Sequence, residues 1–438
     1  MADEDWTRVA FGDCASLVHE SVDPTDMPGV PYIGLEHIGE QSLSLVGHGY
    51  SDDVSSTKTL FGKGDILFGK LRPYFRKVII APFDGMCSTD IWVVRPKANI
   101  DARYLFYWMA SRDFVDASTR GSEGTKMPRA QWEFVSRFER VVPPLETQQA
   151  IAGILGSLDD KIELNRRMNQ TLEGMARAIF KSWFVDFDPV RAKAAGRQPS
   201  GLASHIADLF PDAFEEPALG EIPKGWRLTS LGEQATVVKG LSYKGKHLCD
   251  VGEGLPLHNL NSVYEGGGYK YEGIKWYNGE YRERHLLAPG DVIVTNTEQG
   301  FDHLLIGYAA IVPKHFGQKG LFSHHIYRLR PQKDSYLPPW FFHLLLRTPR
   351  FHQLVAGYSN GTTVNMLPAD GLQKPQFILP PKALVEQFDN LFVPIASRIE
   401  VLYDENCSLV ETRDALLPKL ISGELRVADA ERIVGRCV

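Results

Sequence analysis

Apolar residues recur at alternating intervals of four and three positions in two long stretches of the chain. The first stretch follows Pro144 and the second follows Pro381, and proline suits the first turn of a helix because no hydrogen bond is lost there. This spacing places the apolar residues on one face of a long helix. The apolar positions are Ile151, Leu155, Leu158, Ile162, Leu172, Ala176, Ile179 and Trp183 in the first stretch and Phe388, Phe392, Ile395, Ile399, Leu402, Leu409, Leu416 and Leu420 in the second.

The two stretches predict an antiparallel coiled coil formed within one chain. Antiparallel partners have residue numbers with a constant sum, and a sum of 571 matches apolar positions with each other and Asn165 with Asn406. A facing polar pair sets the register of an apolar seam at some cost in stability. Arg413 is the exception, because it faces Leu158, and Asp159-Asp160 supplies acids to pair with it. The alternative is two amphipathic helices that pack separately on their own domains.

The likeness between the two stretches is part of a duplication of the whole chain. Matched segments keep their order while their offset grows from 220 to 237 positions, which indicates insertions in the second copy. Each copy has short β-type runs divided by Gly, Pro and Asp, then short helices, then the long helix. The pairs of matched segments include Trp6–Gly12 with Trp226–Gly232, Gly64–Leu67 with Gly290–Ile293, and Ile91–Pro96 with Ile326–Pro331.

The predicted fold class is therefore α+β. We expect two tandem mixed α/β domains with pseudo-twofold symmetry, separated by an antiparallel two-helix coiled coil. The expected division is a first domain at 1–142, a first spacer helix at 143–185, a connector at 186–220, a second domain at 221–379, a second spacer helix with a C-terminal segment at 380–425, and a tail at 426–438.

Composition indicates a cytoplasmic protein in a reducing environment. The five cysteines are scattered without metal-site or disulfide spacing, no apolar run has membrane-spanning length, and residues 1–5 are acidic, unlike a signal peptide. The net charge is −6, so a nucleic-acid surface has to be local. Residues 55–140 contain 15 Lys and Arg against 9 Asp and Glu, which indicates such a surface in the first domain.

The motifs of several enzyme classes are absent from the sequence. It contains no phosphate-binding G-x-x-x-x-G-K-[ST] loop, no G-x-G-x-x-G after a strand and no H-E-x-x-H helix. His324 and His325 are adjacent rather than spaced for one metal ion, which favours a strand end or a binding loop. We predict no catalytic residues and no metal site.

Polar and basic segments provide binding candidates in both copies. Residues 70–77 interleave cations with aromatic side chains, and arginine and lysine bind phosphate or guanine; the alternative is a basic hairpin edge that prevents aggregation. The matching segment, 295–300, has amide side chains that can read adenine, and a glycine loop recurs in both copies. The candidate DNA-binding residues are Lys70, Arg72, Tyr74, Arg76, Lys77, Gly124, Thr125, Lys126, Asn296, Thr297, Gln299, Asn360, Gly361, Thr362, Thr363 and Asn365.

These segments resemble a known family, the DNA-specificity subunits of type I restriction–modification enzymes, over nearly the whole chain. The second copy departs from the family pattern at Lys382–Gln387, where only Glu-Gln remains of the helix start. The strings that carry the resemblance are Pro143–Gln149, Leu158–Asn165, Phe180–Val190, Gly220–Trp226 and Leu417–Leu425.

The resemblance implies two target-recognition domains, each reading one half of a bipartite site in double-stranded DNA. It further implies that the helices hold two methyltransferase subunits, that motor-nuclease restriction subunits join the complex, and that S-adenosylmethionine, ATP and Mg belong to those partners. The chain itself is then not an enzyme and has no membrane partner. The alternatives are a coiled-coil adaptor whose duplicated domains bind protein or glycan, and a self-sufficient DNA methyltransferase with an unrecognised site.

Overall fold

A computed structural model describes residues 6–124, 126–215, 221–300, 302–361 and 363–435 of the chain. The described residues form two compact units. Unit 1 comprises Met1–Arg166 with Glu405–Val438, and unit 2 comprises Arg167–Asp404. Each unit therefore includes part of both predicted long helices.

The first part of unit 1 contains thirteen strands and four short helices among its described residues. The strands are β1 (Thr7–Ala10), β2 (Ala15–Val18), β3 (Ser21–Val22), β4 (Pro31–Ile33), β5 (Gly49–Tyr50), β6 (Lys58–Phe61), β7 (Ile66–Gly69), β8 (Val78–Ile80), β9 (Gly85–Cys87), β10 (Ile91–Pro96), β11 (Ser122–Glu123), β12 (Arg129–Ala130) and β13 (Glu139–Val142). The helices are α1 (Phe11–Cys14), α2 (Ala102–Ala110), α3 (Arg112–Arg120) and α4 (Trp132–Val135).

The chain continues through the first long helix into the strands of unit 2 and returns through the second long helix. The helices are α5 (Leu145–Phe184), α6 (Asp188–Ala194), α7 (Ser204–Ala207), α8 (Leu231–Gln234), α9 (Pro339–Leu346), α10 (Pro349–Ala356), α11 (Ala369–Gln373), α12 (Lys382–Ser422) and α13 (Val427–Val434). The strands are β14 (Phe214–Glu215), β15 (Ile222–Pro223), β16 (Arg227–Ser230), β17 (Ala235–Lys239), β18 (Leu248–Cys249), β19 (Leu255–His258), β20 (Lys275–Tyr277), β21 (Leu286–Leu287), β22 (Val292–Thr295), β23 (Thr297–Gln299), β24 (Ala309–Ile311), β25 (Gly320–Phe322), β26 (Ile326–Pro331), β27 (Val364–Met366) and β28 (Gln376–Leu379).

The two units repeat one sheet topology. A four-stranded antiparallel sheet has the order β2-β10-β7-β8 in unit 1 and β17-β26-β22-β24 in unit 2. A second sheet contains β6-β9-β4-β5 in unit 1 and β21-β25-β19-β20 in unit 2, each with one parallel pair. The fifth strand of this sheet differs, because β3 lies beside β6 whereas β18 lies beside β20. The duplication predicted from the sequence is thus a duplication of fold.

The four-stranded sheet of unit 1 is buried on both faces. Ile66 and Phe68 pack into one core with Leu105 of α2, whereas Leu67 of the same strand packs into a separate core with Ile33 of β4. Alternate side chains of a strand point to opposite faces, so a strand covered on both sides reads as a continuous apolar run. This explains why the sequence of β7 is apolar at every side-chain-bearing position.

The long helices pair in the antiparallel direction that the apolar spacing predicts. In unit 1, Nδ2 of Asn165 donates to Oδ1 of Asn406 at 3.0 Å, and in unit 2 the rings of Trp183 and Phe388 lie 5.7 Å apart. Both pairs satisfy the predicted register. The helices begin at Leu145 and Lys382, which are 237 positions apart like their apolar faces. The coiled coil is confirmed, and the alternative of separately packed helices is wrong.

The charged residue of the seam has an acid beside it, as the sequence predicts. Arg413 is 1% exposed, and its Nη1 donates to Oδ1 of Asp159 at 2.7 Å. The other carboxylate oxygen of Asp159 accepts a hydrogen bond from the Tyr107 hydroxyl at 2.6 Å. Asp414, the residue after Arg413, also pairs with it at 3.1 Å. A buried charge is tolerated when it is paired and hydrogen-bonded in this way.

Some local predictions were approximate. The run Ile306–Val312 predicts one strand, but only Ala309–Ile311 forms β24, because the preceding residues turn to meet Glu298. The sequence of Ala203–Phe210 also predicts a short helix, and the structure forms only α7 there. Among the described residues, no helix is long and apolar enough to cross a membrane.

Candidate nucleic-acid interface

In unit 1, the two predicted DNA-binding segments lie side by side. The main chain of Lys70 accepts a hydrogen bond from Ala130 at 2.9 Å, and the Arg72 N–H donates to Pro128 O at 2.7 Å. Strands β11 and β12 form a hairpin whose loop contains Gly124 and Lys126, both exposed. The basic segment and the glycine loop, more than forty positions apart in the chain, therefore form one surface.

The conformation of residues 70–77 is set by an unusual turn. Arg72 and Arg76 adopt left-handed backbone angles, with φ of 51° and 52°, on either side of a short 3-10 helix at Pro73–Phe75. Such angles are uncommon for residues other than glycine and persist where surrounding contacts hold them. The turn leaves the Tyr74 side chain exposed. An aromatic ring presented between cations suits stacking or backbone contact with nucleic acid.

Two of the predicted cations are bound within the fold. Nε of Arg76 donates to Ala110 O at 2.7 Å, and its Nη2 lies 3.2 Å from Oδ1 of Asp414. Nζ of Lys77 donates to Leu35 O at 2.8 Å. These contacts hold residues 70–77 against unit 1. The remaining candidates on this surface are the exposed Tyr74 and Lys126 and the half-exposed Lys70 and Arg72.

Sequence reasoning missed Arg129, which borders the same surface. Arg129 is exposed, and its guanidinium is oriented by two hydrogen bonds to Asp90, at 2.8 and 3.2 Å. Its signal in the sequence is a cation directly after the glycine loop, at the start of β12. A guanidinium that is oriented by two hydrogen bonds to a carboxylate still has N–H groups that can donate to phosphate or guanine.

The two predicted segments of unit 2 also come together. β23, which contains Thr297 and Gln299, pairs with β27, which contains Asn365. Asn296 repeats the main-chain bonds of Lys70: its N–H donates to His325 O at 3.0 Å and its carbonyl accepts from Leu367 at 2.8 Å, as Lys70 does with Asp90 and Ala130. The surfaces of the two units are thus built at equivalent places of the repeated fold.

Several predicted readers of unit 2 are buried and bonded internally. Nδ2 of Asn296 donates to His324 O at 3.1 Å, its Oδ1 accepts from the Thr297 hydroxyl at 2.8 Å, and Asn365 donates to Gly300 O. The side chains of Gln299, Asn360 and Thr363, together with the backbone at Gly361, are exposed. Thr125 and Thr362 lie outside the described residues.

Glu298 illustrates why a polar residue type alone does not identify a reader. Glutamate can accept a hydrogen bond from cytosine, yet Glu298 is buried, and its carboxylate accepts the main-chain N–H groups of Leu304, Leu305 and Ile306 at 2.8, 3.1 and 2.9 Å. Three such bonds occupy most of a carboxylate's acceptor capacity. Glu298 therefore holds the loop that follows β23.

The two buried cysteines of the described residues, Cys14 and Cys87, are protonated thiols. Burial raises the pKa of the Cys14 thiol to about 11 and of the Cys87 thiol to about 12, so neither is a thiolate nucleophile near neutral pH. No group of three or more His, Cys, Asp or Glu side chains is placed to hold a metal ion in the described parts of the chain. The structure thus contains two copies of one α+β fold with polar loops at equivalent positions.

Comparison with known proteins shows what the chain is similar to. Residues 4–174 match the family described as type I restriction modification DNA specificity domain. The HindI specificity subunit of Haemophilus influenzae is 26% identical, with 96% of this chain and 100% of the relative covered. The MjaIX specificity subunit of Methanocaldococcus jannaschii is 25% identical, with 84% and 79% covered. The chain is thus similar to the specificity subunits of type I restriction–modification enzymes over most of its length.

A solved structure shares the fold. The crystal structure of a type I restriction–modification system S subunit from M. genitalium is 12% identical and superposes with a TM-score of 0.51, covering 96% of this chain and 97% of that chain. This likeness concerns the fold, and it agrees with the two mixed α/β units and long helices described above.

Proposed function

We propose that the chain is the sequence-specific double-stranded DNA-binding subunit of a type I restriction–modification complex and that it reads a bipartite, asymmetric site. The observation that carries this proposal is the equivalence of the two polar surfaces. Lys70 and Asn296 occupy the same main-chain position, with the same hydrogen-bond pattern, but they have different side chains. To read two different half-sites, a repeated main-chain structure must have different side chains at its equivalent positions.

The surface of unit 1 supports contact with phosphate and guanine. Lys70, Arg72, Lys126 and Arg129 bring four cations to one place, with Tyr74 exposed between them. Arginine binds guanine or phosphate with two hydrogen bonds, and lysine adds charge toward the backbone. In unit 2 the exposed Gln299 and Asn360 instead offer amides, which suit adenine. The two half-sites are therefore expected to differ.

The length of the helices predicts a gap between the half-sites. Ile151 and Trp183 are 32 steps apart on α5, which corresponds to about 48 Å at 1.5 Å per residue. One turn of DNA is about 34–36 Å long. We therefore expect the two half-sites to be separated by base pairs that the protein does not read.

The same helices are proposed as the platform for two methyltransferase subunits, with motor-nuclease restriction subunits completing the complex in the cytoplasm. In this proposal S-adenosylmethionine, ATP and Mg are bound by those partners, and this chain supplies specificity only. The predicted division into two target-recognition domains at 1–142 and 221–379 is part of the proposal.

Mapping of methylated bases in cells with and without this gene tests the proposal. The expected result is one split, asymmetric sequence that loses methylation when the gene is removed. A single continuous sequence, or a continuous footprint on DNA, would contradict the bipartite site.

A salt titration tests the DNA-binding role itself. Binding to duplex DNA should weaken steeply as salt rises, because neutralised phosphates release counterions. An adaptor for protein or glycan would show no duplex binding at any salt concentration.

A further inference from the structure

A cluster of basic side chains lies in unit 2 outside the predicted DNA-binding segments. It consists of Lys239 at the end of β17, Lys275 at the start of β20, and His324 and His325 in the turn before β26. The rings of the two histidines are 3.9 Å apart. Partial burial, followed by the neighbouring His324, Lys239 and Lys275, lowers the pKa of His325, which favours its neutral form.

The backbone brings these residues together through an unusually close approach of two segments. The Leu241 N–H donates to Phe322 O at 2.7 Å, and the His324 N–H donates to Leu241 O at 3.0 Å. A side chain on the intervening Gly240 would place its Cβ 2.2 Å from Ser323 O. Only glycine permits this contact, so Lys239 is held beside the two histidines by the fold.

The cluster is joined to the predicted reading segment through His325. The Thr297 hydroxyl donates its proton to Oδ1 of Asn296 at 2.8 Å, so the 3.2 Å contact between Thr297 Oγ1 and His325 Nδ1 has the histidine as donor. In the neutral ring this assignment makes Nε2 a hydrogen-bond acceptor. His325 therefore lies between the lysines and the segment that begins at Asn296.

Charges of one sign are concentrated here without acids to balance them. Nζ of Lys275 donates to the Tyr243 hydroxyl at 3.0 Å, and within the described part of the chain neither Lys275 nor Lys239 forms an ion pair with a carboxylate. Arg330, on the strand that follows the histidines, is by contrast paired with Asp291. Unbalanced cations on one surface repel one another, and an anion bound among them relieves the repulsion.

The fold itself does not require cations at this place. The position equivalent to His325 in unit 1 is Asp90, because its carbonyl accepts the Lys70 N–H as the His325 carbonyl accepts the Asn296 N–H. Asp90 is an acid, and it is paired with Arg129. The basic cluster is thus a property of unit 2 rather than of the repeated frame.

We propose that Lys239 and Lys275 bind neighbouring backbone phosphates of duplex DNA beside the half-site that unit 2 reads. The proposal rests on the DNA-binding function proposed above and adds to it a contact that carries no sequence information. Phosphate contacts fix the register of a protein on the duplex, while base contacts provide specificity. This contact would set the position from which Gln299 and Asn360 reach base edges.

The test compares the full chain, assembled with its methyltransferase subunits, with the Lys239→Ala, Lys275→Ala and double variants. Binding to a labelled duplex with the mapped sequence, and to an unrelated duplex, is measured from about 50 to about 200 mM salt. Each lysine lost should make the slope of log affinity against log salt shallower by about 0.9. Affinity for both duplexes should fall by the same factor, so that the preference for the mapped sequence is unchanged.

Lys333→Ala is the matched control. Lys333 is exposed in unit 2 and lies just beyond the opposite end of β26 from His325, so its loss should leave the slope unchanged. A double variant that unfolds at the same temperature as the unaltered chain and keeps its slope would overturn the phosphate site while leaving the proposed function intact. If the double variant does not fold, the Lys239→Gln variant is measured instead. An unchanged slope of log affinity against log salt in that variant would also overturn the phosphate site. Failure of the unaltered chain to bind duplex DNA would overturn both proposals.

Discussion

The buried ion pair of the coiled coil provides the sharpest test of how unit 1 is held together. Arg413 is 1% exposed, and it pairs with Asp159 at 2.7 Å and with Asp414 at 3.1 Å. Tyr107 donates to the same Asp159 carboxylate at 2.6 Å. Replacement by methionine in Arg413→Met keeps the length of the side chain but leaves Asp159 without its buried cation.

We expect Arg413→Met to lower the free energy of unfolding by about 3–5 kcal/mol, the usual cost of removing one partner of a buried ion pair. Arg413→Met with Asp159→Leu should recover part of that loss, because it removes the uncompensated carboxylate but leaves the buried Tyr107 hydroxyl without its acceptor. Unit 2 has the neutral alternative: the residues that lie 237 positions from Arg413 and Asp159 are Ala176 and Ala396. The repeated fold therefore tolerates uncharged residues at these positions of the coiled coil.

Urea denaturation of the two single variants and the double variant completes a double-mutant cycle, and hydrogen exchange assigns the loss to unit 1. Arg432→Met is the control, because Arg432 is 79% exposed in its pair with Asp429 and should contribute less than about 1 kcal/mol. A loss below about 1 kcal/mol for Arg413→Met, or additivity of the two single losses within about 0.5 kcal/mol, would refute the reasoning.

Three further predictions follow from the contacts of single residues. Asn165→Leu should lower stability by about 0.5–1.5 kcal/mol, because the half-buried Asn406 amide loses the hydrogen bond that Asn165 donates to it. Replacing both asparagines by leucine should raise the melting temperature at the expense of register. Lys126→Ala should reduce the salt dependence of DNA binding without changing the melting temperature, whereas Arg76→Ala should lower the melting temperature, because this guanidinium is bonded within unit 1. Burial lowers the pKa of His258 to about 3, so below about pH 6.5 the unfolded chain binds a proton that the folded chain does not. Unit 2 should then lose about 1.4 kcal/mol per pH unit as the pH falls toward about 4.

Each of these predictions has a clear contrary outcome. A double asparagine variant that melts below the single variant would show that the pair stabilises the seam rather than only setting its register. If DNA affinity depends on salt equally in the Lys126→Ala variant and in the unaltered chain, Lys126 does not contact DNA. Hydrogen exchange in unit 2 that is no faster at pH 5 than at pH 7, after correction for intrinsic rates, would contradict the histidine prediction. His258→Gln, which cannot titrate, is the control.

The sequence by itself determined the duplication, the long helices and their register. These features depend on local periodicity, because a heptad pattern defines one helix face and the constant offset between Ile151 and Phe388 identifies its copy. The pairing of Asn165 with Asn406 follows from the same arithmetic and is seen as a hydrogen bond. The resemblance to specificity subunits rests on strings within these same regions.

Only the tertiary structure decided which polar side chains are available to DNA. Arg76 and Lys126 are equivalent as cations in the sequence, but Arg76 is bonded to Asp414, which lies 338 positions away. Asn296 and Gln299 are both amides in one segment, yet only Gln299 is exposed. The physical reason is that a buried polar group takes its hydrogen-bond partner from whatever segment the fold places beside it, and local sequence does not contain that information.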